Sequence, residues 1–144
     1  MDDKIVQTVN ALYKKVHKFI LCGIDDDGYP TAKAVLPSDN RDSITEMYFA
    51  TNTSSKYVDQ IKKNDKSSVY FFDPIFFKGC LLKGRMEICE DMIIKEKLWK
   101  NGYQSAYPQG KELRFRDPDF CVLKFIPRSG RYYFMFKTQN FTVE

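Results

Sequence analysis

A strand-like run near the middle of the chain breaks into hydroxyl and amide residues and then becomes a helix. Residues 49–56, with the sequence FATNTSSK, span this junction. A helix N-terminus presents unpaired backbone N–H groups and the positive end of the helix dipole, and both favour a bound anion. The hydroxyls of Thr51, Thr53, Ser54 and Ser55 and the ammonium group of Lys56 are predicted to converge here, so we interpret residues 51–56 as a phosphate-binding cradle. The spacing alone leaves open an ordinary helix N-cap made by Thr53 or Ser54.

The elements on either side would hold the cradle in place. Residues 44–51 have the β-branched and aromatic content of a strand, and residues 56–64 place apolar side chains at helical spacing. A first helix is predicted to begin at Asp3 and to pack on a sheet, since one of its faces carries an apolar stripe. The stripe consists of Ile5, Val9, Leu12 and Val16.

Seven short strands are predicted from aromatic and β-branched runs that are separated by turn residues. They span residues 19–24, 31–36, 44–51, 67–72, 77–89, 120–126 and 131–137. Turns are expected at residues 25–30 and, between the last two strands, at residues 127–130. Gly79 and Gly84 predict bends inside the long fifth strand.

The order of these elements favours a mainly β fold with appended helices. A third helix is expected after Asp91, followed by an irregular connection over residues 102–118. Helices are too few for alternating β-α-β units, so the strands are expected to form an antiparallel barrel. The length of 144 residues suits one domain, which we assign to residues 1–144.

Composition and charge argue against several classes of protein. The chain is 43% hydrophobic, has a formal net charge of +4 and contains twelve Phe and nine Tyr residues, an aromatic content that favours strands. Its cations are scattered among nearly as many acids, so we expect no nucleic-acid partner. The chain lacks an apolar run of about 18 residues, and its N-terminus lacks a cationic segment followed by an apolar one. We therefore expect a cytoplasmic protein that does not bind membranes.

Catalytic and metal-binding side chains are not grouped in the sequence. The cysteines occur singly inside strand-like segments, and His17, to which we assign no role, is the only histidine. These spacings favour buried, reduced thiols over a disulfide framework or a zinc site, so no metal is predicted. The sequence also lacks an arrangement typical of acid–base or nucleophilic catalysis, and any chemistry would come from a cofactor. The four thiols belong to Cys22, Cys80, Cys89 and Cys121.

Several short motifs are weak singly but specific in their order and spacing. They are Gly28-Tyr29-Pro30 with Lys33, then residues 48–52 (YFATN), 55–56 (SK), 61–64 (IKKN), 70–73 (YFFD), 84–87 (GRME), 97–99 (KLW), 107–110 (YPQG), 117–120 (DPDF) and 130–133 (GRYY). Together they resemble the FMN-binding split β-barrel proteins related to pyridoxamine 5'-phosphate oxidase, especially the small branch called general stress proteins. The resemblance covers nearly the whole chain and implies an antiparallel split β-barrel that binds FMN.

The resemblance also implies a homodimer with two FMN molecules in clefts between the subunits. Lys33 resembles the family's basic residue after the first hairpin. Ser55 and Lys56 would bind the FMN phosphate, since a phosphate group carries about −1.5 to −2 charges and needs cationic partners. An exposed strand lysine is the alternative for Lys33. Tyr57 stands where the family commonly has a second basic residue, so the cradle is predicted to lose one charge. The cofactor-binding residues implied within one chain are Lys33, Ala34, Val35, Ala50, Thr51, Ser55 and Lys56.

A second subunit is expected to complete each cleft. The interior of a small barrel is filled by its own side chains, so a three-ring isoalloxazine must lie on the outer wall, where another surface has to cover it. The aromatic excess agrees with an apolar, self-complementary interface. The residues predicted for this region are Phe76, Phe77, Lys78 and Gly79, with Trp99 as a cover for the ring.

Two classes of function follow from the resemblance. In the first, the protein is a flavin-dependent oxidoreductase that acts on an unknown small molecule. In the second, it binds FMN, haem or a deazaflavin without turnover, as a carrier or a stress-related sensor. The Arg- and Trp-bearing substrate signature of the parent oxidase is not recognisable at residues 137–144, so we expect no oxidation of pyridoxamine phosphate. A third class, a barrel that binds single-stranded nucleic acid, is disfavoured because the chain lacks a basic stripe.

Overall fold

The computed structural model describes residues 3–39 and 41–143, so Met1, Asp2, Asn40 and Glu144 lie outside the described residues. The strands are β1 (Phe19–Ile24), β2 (Pro30–Val35), β3 (Met47–Asn52), β4 (Lys66–Asp73), β5 (Lys78–Cys89), β6 (Phe120–Phe134) and β7 (Lys137–Thr142). The α-helices are α1 (Asp3–Lys15), α2 (Lys56–Lys63), α3 (Met92–Leu98) and α4 (Gly110–Leu113), and short 3-10 helices span Asn101–Ala106 and Arg114–Arg116.

The strands form one antiparallel sheet in the order β2-β1-β4-β5-β6-β3, and β7 pairs with the C-terminal half of β6. The sheet curls until its edge strands β2 and β3 approach each other, where an isolated bridge joins Pro37 to Phe49. The result is a curled half-barrel with a few helices, which confirms the predicted split β-barrel.

Aromatic side chains from alternating strand positions fill the interior of the half-barrel. Phe19, Phe49, Phe71 and Phe125 are fully buried, and the Phe19 ring centroid lies 5.1 Å from that of Phe71 and 5.7 Å from that of Phe49. Helix α1 packs its predicted apolar stripe into the same cluster. Each buried side chain of this size contributes about 1.5–3 kcal/mol to stability. Because the chain's own side chains occupy the interior, a large ligand has to lie outside it.

The turn predicted at residues 127–130 is wrong, because β6 continues through this segment. The chain reverses only after Phe134, where Met135 adopts a left-handed backbone with φ 55°. The last strand is therefore Lys137–Thr142 rather than the predicted residues 131–137.

A β-bulge explains how β6 accommodates a proline and a glycine without ending. Lys83 of β5 pairs with Ser129 and its neighbour Gly84 pairs with Pro127, so Arg128 is an extra residue on the β6 side of the ladder. Bulges tolerate proline because the regular ladder is already interrupted there. Local turn residues were therefore a misleading signal at this position.

Most other boundaries follow the sequence pattern. Asp91 caps α3 as predicted, and its carboxylate accepts hydrogen bonds from the backbone N–H groups of Ile93 at 2.9 Å and Ile94 at 3.4 Å. The third strand begins at Met47, three residues later than predicted, and residues 102–118 contain short helices instead of an irregular loop.

Within the described ranges, no helix combines the length and the apolar character that crossing a lipid bilayer requires.

Candidate functional site

Lys33 lies on the edge strand β2, and its ammonium group reaches across the gap in the half-barrel to β3. Lys33 Nζ donates hydrogen bonds to Thr51 Oγ1 at 3.0 Å and to Ser55 Oγ at 3.4 Å. In the β1–β2 ladder Lys33 pairs with the fully buried Leu21, so its side chain starts on the inner face of the sheet. Burial lowers the pKa of Lys33 below its ordinary value, and nearby Cys121 opposes this shift.

The N-cap of α2 is Ser55 rather than Thr53 or Ser54. Ser55 has an extended backbone, and its Oγ accepts a hydrogen bond from the backbone N–H of Tyr57 at 3.1 Å. The Ser55 hydroxyl therefore accepts from both the helix and the Lys33 ammonium group, which leaves its own proton to be donated to a ligand. Ser55 thus fits both interpretations of residues 51–56. It is the N-cap of α2, and it contacts Lys33 in the candidate phosphate-binding cradle.

A cavity of 340 Å³ opens between β2 and the first turns of α2. Lys33 and Ser55 line it together with the exposed Lys56, so two cationic residues and a serine border the same space. Thr31 and Gln60 close one side, where Thr31 Oγ1 donates to Gln60 Oε1 at 3.0 Å. This arrangement suits an anion, because the positive end of the α2 dipole adds to the two cations.

Two of the predicted cradle hydroxyls, those of Thr53 and Ser54, do not join this cavity. Thr53 Oγ1 donates to the backbone oxygen of Pro118 at 2.8 Å, and the backbone N–H of Ser54 donates to Asp119 Oδ1 at 2.9 Å. The backbone N–H of Thr53 also donates to the Asp119 carbonyl oxygen at 2.9 Å. Asp119 therefore accepts hydrogen bonds from the turn before α2. Because Thr53 and Ser54 are held by these contacts, the prediction that all the cradle hydroxyls converge on one place is wrong.

Tyr57, which stands where the family commonly has a second basic residue, directs its phenol into the core. Only 4% of Tyr57 is exposed, and its phenol lies 2.8 Å from the Ser67 hydroxyl. Burial raises the pKa of Tyr57 to about 12. Its ring packs beneath Gly23, where an added Cβ would lie 3.2 Å from Tyr57 Cε1. Tyr57 thus contributes to the lining of the cradle cavity while its hydroxyl is held by Ser67 in the core. The predicted loss of one charge from the cradle stays a prediction.

The remaining cofactor-binding residues predicted on β2 and β3 lie close to the cradle but point in different directions. Ala34 is exposed, Val35 belongs to the interior cluster and Ala50 packs against a second apolar cluster on the outer face of β3 and β6. The cofactor-binding roles of Ala34, Val35 and Ala50 stay predictions.

Trp99 is buried in that second cluster, where three aromatic rings pack against its own. Tyr103, Tyr107 and Phe120 surround it, with ring centroids 5.1 to 5.8 Å from that of Trp99. Its Nε1 is buried and makes no hydrogen bond within the described part of the chain. Within one chain Trp99 therefore supports β3 from behind, and its predicted contact with a ligand ring remains untested.

Tyr107 is a site residue to which the sequence interpretation gave no role. Its hydroxyl donates to the backbone oxygen of Thr51 at 2.9 Å and so fixes the end of β3 from the outer side. The motif at residues 107–110 contained the signal, but the motif does not show which strand the phenol contacts.

Lys78 and Gly79 lie at the start of β5 and do not line the cradle cavity of their own chain. Lys78 Nζ lies 5.6 Å from the ring centroid of Phe76. A Cβ at Gly79 would lie 2.6 Å from the Tyr133 hydroxyl, so the glycine is already required by a neighbour within the chain. Their predicted place beside a partner's cofactor stays a prediction.

Thiols and carboxylates do not add a metal centre to this picture. The four cysteines are free; Cys80 and Cys121 are buried, whereas Cys22 and Cys89 are half-buried. Among the residues described, no group of three or more His, Cys, Asp or Glu side chains is placed to hold a metal ion.

Comparison with known proteins decides the family. The sequence model of the family described as pyridoxamine 5'-phosphate oxidase like matches residues 4–142. The chain belongs to this family. No curated protein matches the sequence of this member.

Solved structures similar to this family member share its fold over nearly the whole chain. A Clostridium acetobutylicum protein related to general stress protein 26 of the pyridoxinephosphate oxidase family is 33% identical with a TM-score of 0.83, over 99% of this chain and 97% of that one. A pyridoxamine 5'-phosphate oxidase-related, FMN-binding protein from Nostoc punctiforme is 13% identical with a TM-score of 0.64, over 99% and 94% of the two chains. A haem-binding protein from Mycobacterium smegmatis is 13% identical with a TM-score of 0.70, over 95% of this chain and 57% of that one.

Proposed function

We propose that this protein binds FMN at the cradle as a homodimer and acts as a flavin-dependent oxidoreductase on a small molecule. The observation that carries the proposal is the placement of Lys33 Nζ beside the hydroxyls of Thr51 and Ser55 at the N-terminus of α2. A family that includes FMN-binding structures supports the choice of ligand.

The residues present fit a phosphate monoester. Lys33 has three N–H donors, of which two are directed to the Thr51 and Ser55 hydroxyls and one remains for a ligand. Lys56 lines the same cavity and adds a second cation at its open side. Each charge-assisted hydrogen bond of this kind contributes about 1.5 to 3 kcal/mol. The fixed hydroxyls keep the Lys33 ammonium group in place before a ligand arrives, which lowers the entropy cost of binding.

The chain's own part in the chemistry is to bind and orient. Bound FMN would supply the chemistry, namely hydride transfer from a donor such as a reduced nicotinamide to a second substrate. Thr51 is held from one side by Lys33 and from the other by Tyr107, so the end of β3 is a rigid edge for such a ligand.

A surface of exposed apolar side chains supports the homodimer. The turn between β4 and β5 meets the turn between β6 and β7, where the backbone N–H of Met135 donates to the Phe77 carbonyl oxygen at 2.8 Å. Ile75 is 81% exposed, Phe77 59% and Phe136 94%. We call residues 75–77 and 134–136 the apolar turn pair. Contiguous apolar patches of this kind commonly mark interfaces, and a second copy of the chain is the partner we propose.

The second candidate function is a carrier or sensor that binds FMN, haem or a deazaflavin without turnover. Haem is included among these ligands because a haem-binding protein has the same fold. The single histidine, His17, is exposed just after α1 and does not line the cradle cavity. This placement favours a phosphate-bearing ligand over haem at the cradle.

Purification and anaerobic reduction test the proposal. We expect the protein to carry the visible absorption of flavin, or to acquire it with added FMN, and to lose that absorption when a reduced nicotinamide is added. Flavin binding without bleaching by NADH or NADPH would favour the carrier. A protein that stays colourless with FMN but acquires the Soret band of added haem would overturn flavin binding.

A further inference from the structure

A cavity of 640 Å³ lies where strands β1 and β4 separate. The β1–β4 ladder ends at the pair Cys22–Ser68. Beyond this pair, Gly23 continues beside β2 and Ser67 continues beside β5, so the two strands diverge and leave a gap. The volume lies within the range of about 300–1,000 Å³ that is usual for small-molecule sites. None of its lining residues lines the cradle cavity, so this is a separate site.

The β6 bulge forms one wall of this cavity. Arg128, the residue that the bulge inserts, lines the cavity together with Ser129. Bulges re-aim side chains and are common beside functional sites. Opposite the bulge, a Cβ at Gly84 would lie 2.1 Å from the carbonyl oxygen of Ile126, so the two backbones touch and make a tight floor.

Cationic residues outnumber acidic residues in the lining of this cavity. Lys66 and Lys83 are exposed and form no ion pair within the described ranges, whereas Arg85 pairs with Glu87 at 3.0 Å. A concave surface lined mainly by one sign of charge raises the local concentration of ligands with the opposite sign. The charged lining residues are the cations Lys66, Lys83, Arg85 and Arg128 and the single acid Asp65.

The uncharged lining combines an apolar surface with hydroxyl groups. Ile24, Pro30 and Ile126 supply apolar contacts, while Ser68 and Ser129 supply hydrogen-bonding groups. We propose that this cavity binds a small organic anion that carries two negative charges on an aromatic or aliphatic body, such as an aryl phosphate. The cations attract the anionic group, and the apolar residues hold the body. This proposal does not depend on flavin binding at the cradle.

The test titrates 1-naphthyl phosphate into ¹⁵N-labelled full-length protein and follows amide shifts by NMR. Amides of Gly23, Gly84 and Ser129 are expected to move, both in the wild type and in the Lys33→Gln variant. The variant matters because 1-naphthyl phosphate can also enter the cradle, and removing the Lys33 charge weakens that second binding. Affinity should fall with charge, from 1-naphthyl phosphate to 1-naphthoate to neutral 1-naphthol.

A pair of double variants tests the cations. The variant Lys66→Gln/Lys83→Gln should weaken 1-naphthyl phosphate binding at least tenfold. The matched control, Lys62→Gln/Lys111→Gln, should have little effect because its two exposed lysines do not line the cavity. All four side chains are exposed, so both proteins are expected to fold, which circular dichroism checks. FMN affinity should be the same in the two double variants, which separates this proposal from the flavin site.

Three results would overturn the proposal. Equal weakening by the two double variants would show only a general effect of net charge. Shifts confined to the apolar turn pair would place the probe on that surface instead. If one equivalent of FMN reversed the amide shifts of Gly23, Gly84 and Ser129, the cavity would be part of the flavin site.

Discussion

Lys33 Nζ lies 3.0 Å from Thr51 Oγ1, and this hydrogen bond joins the two edge strands of the split barrel. The same bond brings a cation of β2 to the strand-to-helix junction that ends β3. An ammonium group in this position serves the fold and the candidate ligand site together, because it bridges the gap in the sheet and faces the cradle cavity.

Lys33→Gln is expected to weaken FMN binding more than tenfold, since it removes the cation that the Thr51 and Ser55 hydroxyls hold in place. Lys56→Ala should have a smaller effect because its side chain is exposed. Lys62→Ala is the control, as it lies in the last turn of α2. Quenching of FMN fluorescence measures the three affinities. Equal affinities in all variants would place the phosphate elsewhere.

FMN affinity should depend on pH with two limits. On the acidic side it falls as the phosphate loses its second charge near pH 6. On the alkaline side a bound phosphate favours protonated Lys33, so affinity is lost as the pH rises through the pKa of free Lys33. Because burial lowers this pKa, the loss begins at a lower pH than for an ordinary lysine.

The variant Lys33→Arg tests whether Lys33 causes the alkaline loss of FMN affinity, since a guanidinium group stays charged throughout the alkaline range. Its alkaline limb should shift to higher pH in the same fluorescence assay. An unchanged profile would show that Lys33 does not carry the pH dependence.

Tyr57→Phe should lower the free energy of unfolding by about 1–3 kcal/mol, because it leaves the buried Ser67 hydroxyl without its 2.8 Å partner. FMN affinity should not change, since the phenol faces the core. Urea unfolding of Tyr57→Phe, Ser67→Ala and the double variant gives the coupling between the two hydroxyls. A large loss of FMN affinity in a stably folded Tyr57→Phe protein would restore a ligand role for Tyr57.

Gly84→Ala should destabilise the protein by about 1–3 kcal/mol or more, because its Cβ would lie 2.1 Å from the backbone oxygen of Ile126 and backbone cannot move aside easily. Gly102→Ala is the matched control, since an added Cβ there would meet no atom within 4 Å. Thermal unfolding compares the two. Similar melting temperatures would mean that the β6 bulge adapts.

Phe136→Asp is expected to shift the protein toward monomer if the apolar turn pair is the dimer interface. Phe136 is 94% exposed in the single chain, so its replacement should not disturb the fold. Tyr29→Asp, at a turn residue that is 69% exposed, is the control. Sedimentation at micromolar concentration measures both. A wild-type monomer that binds FMN with full affinity would refute the dimeric site.

Local patterns in the sequence determined the elements and the approximate place of the site. The change from a β-type run to helical spacing located the junction that contains Thr51, Ser55 and Lys56. Asp91 was identifiable as a helix cap, because capping depends on residues only two or three positions away. The motif resemblance indicated the family and the split β-barrel before any contact was known.

Only the tertiary structure decided which side chains meet. Lys33 contacts Thr51 across 18 positions of sequence, and Asp119 takes up the turn at Ser54 from 65 positions away. Tyr57 turns into the core because β4 places the Ser67 hydroxyl opposite it. Such contacts depend on strand order, register and bulges. Hydrophobic periodicity and turn residues describe only neighbours along the chain, so they do not encode these three features.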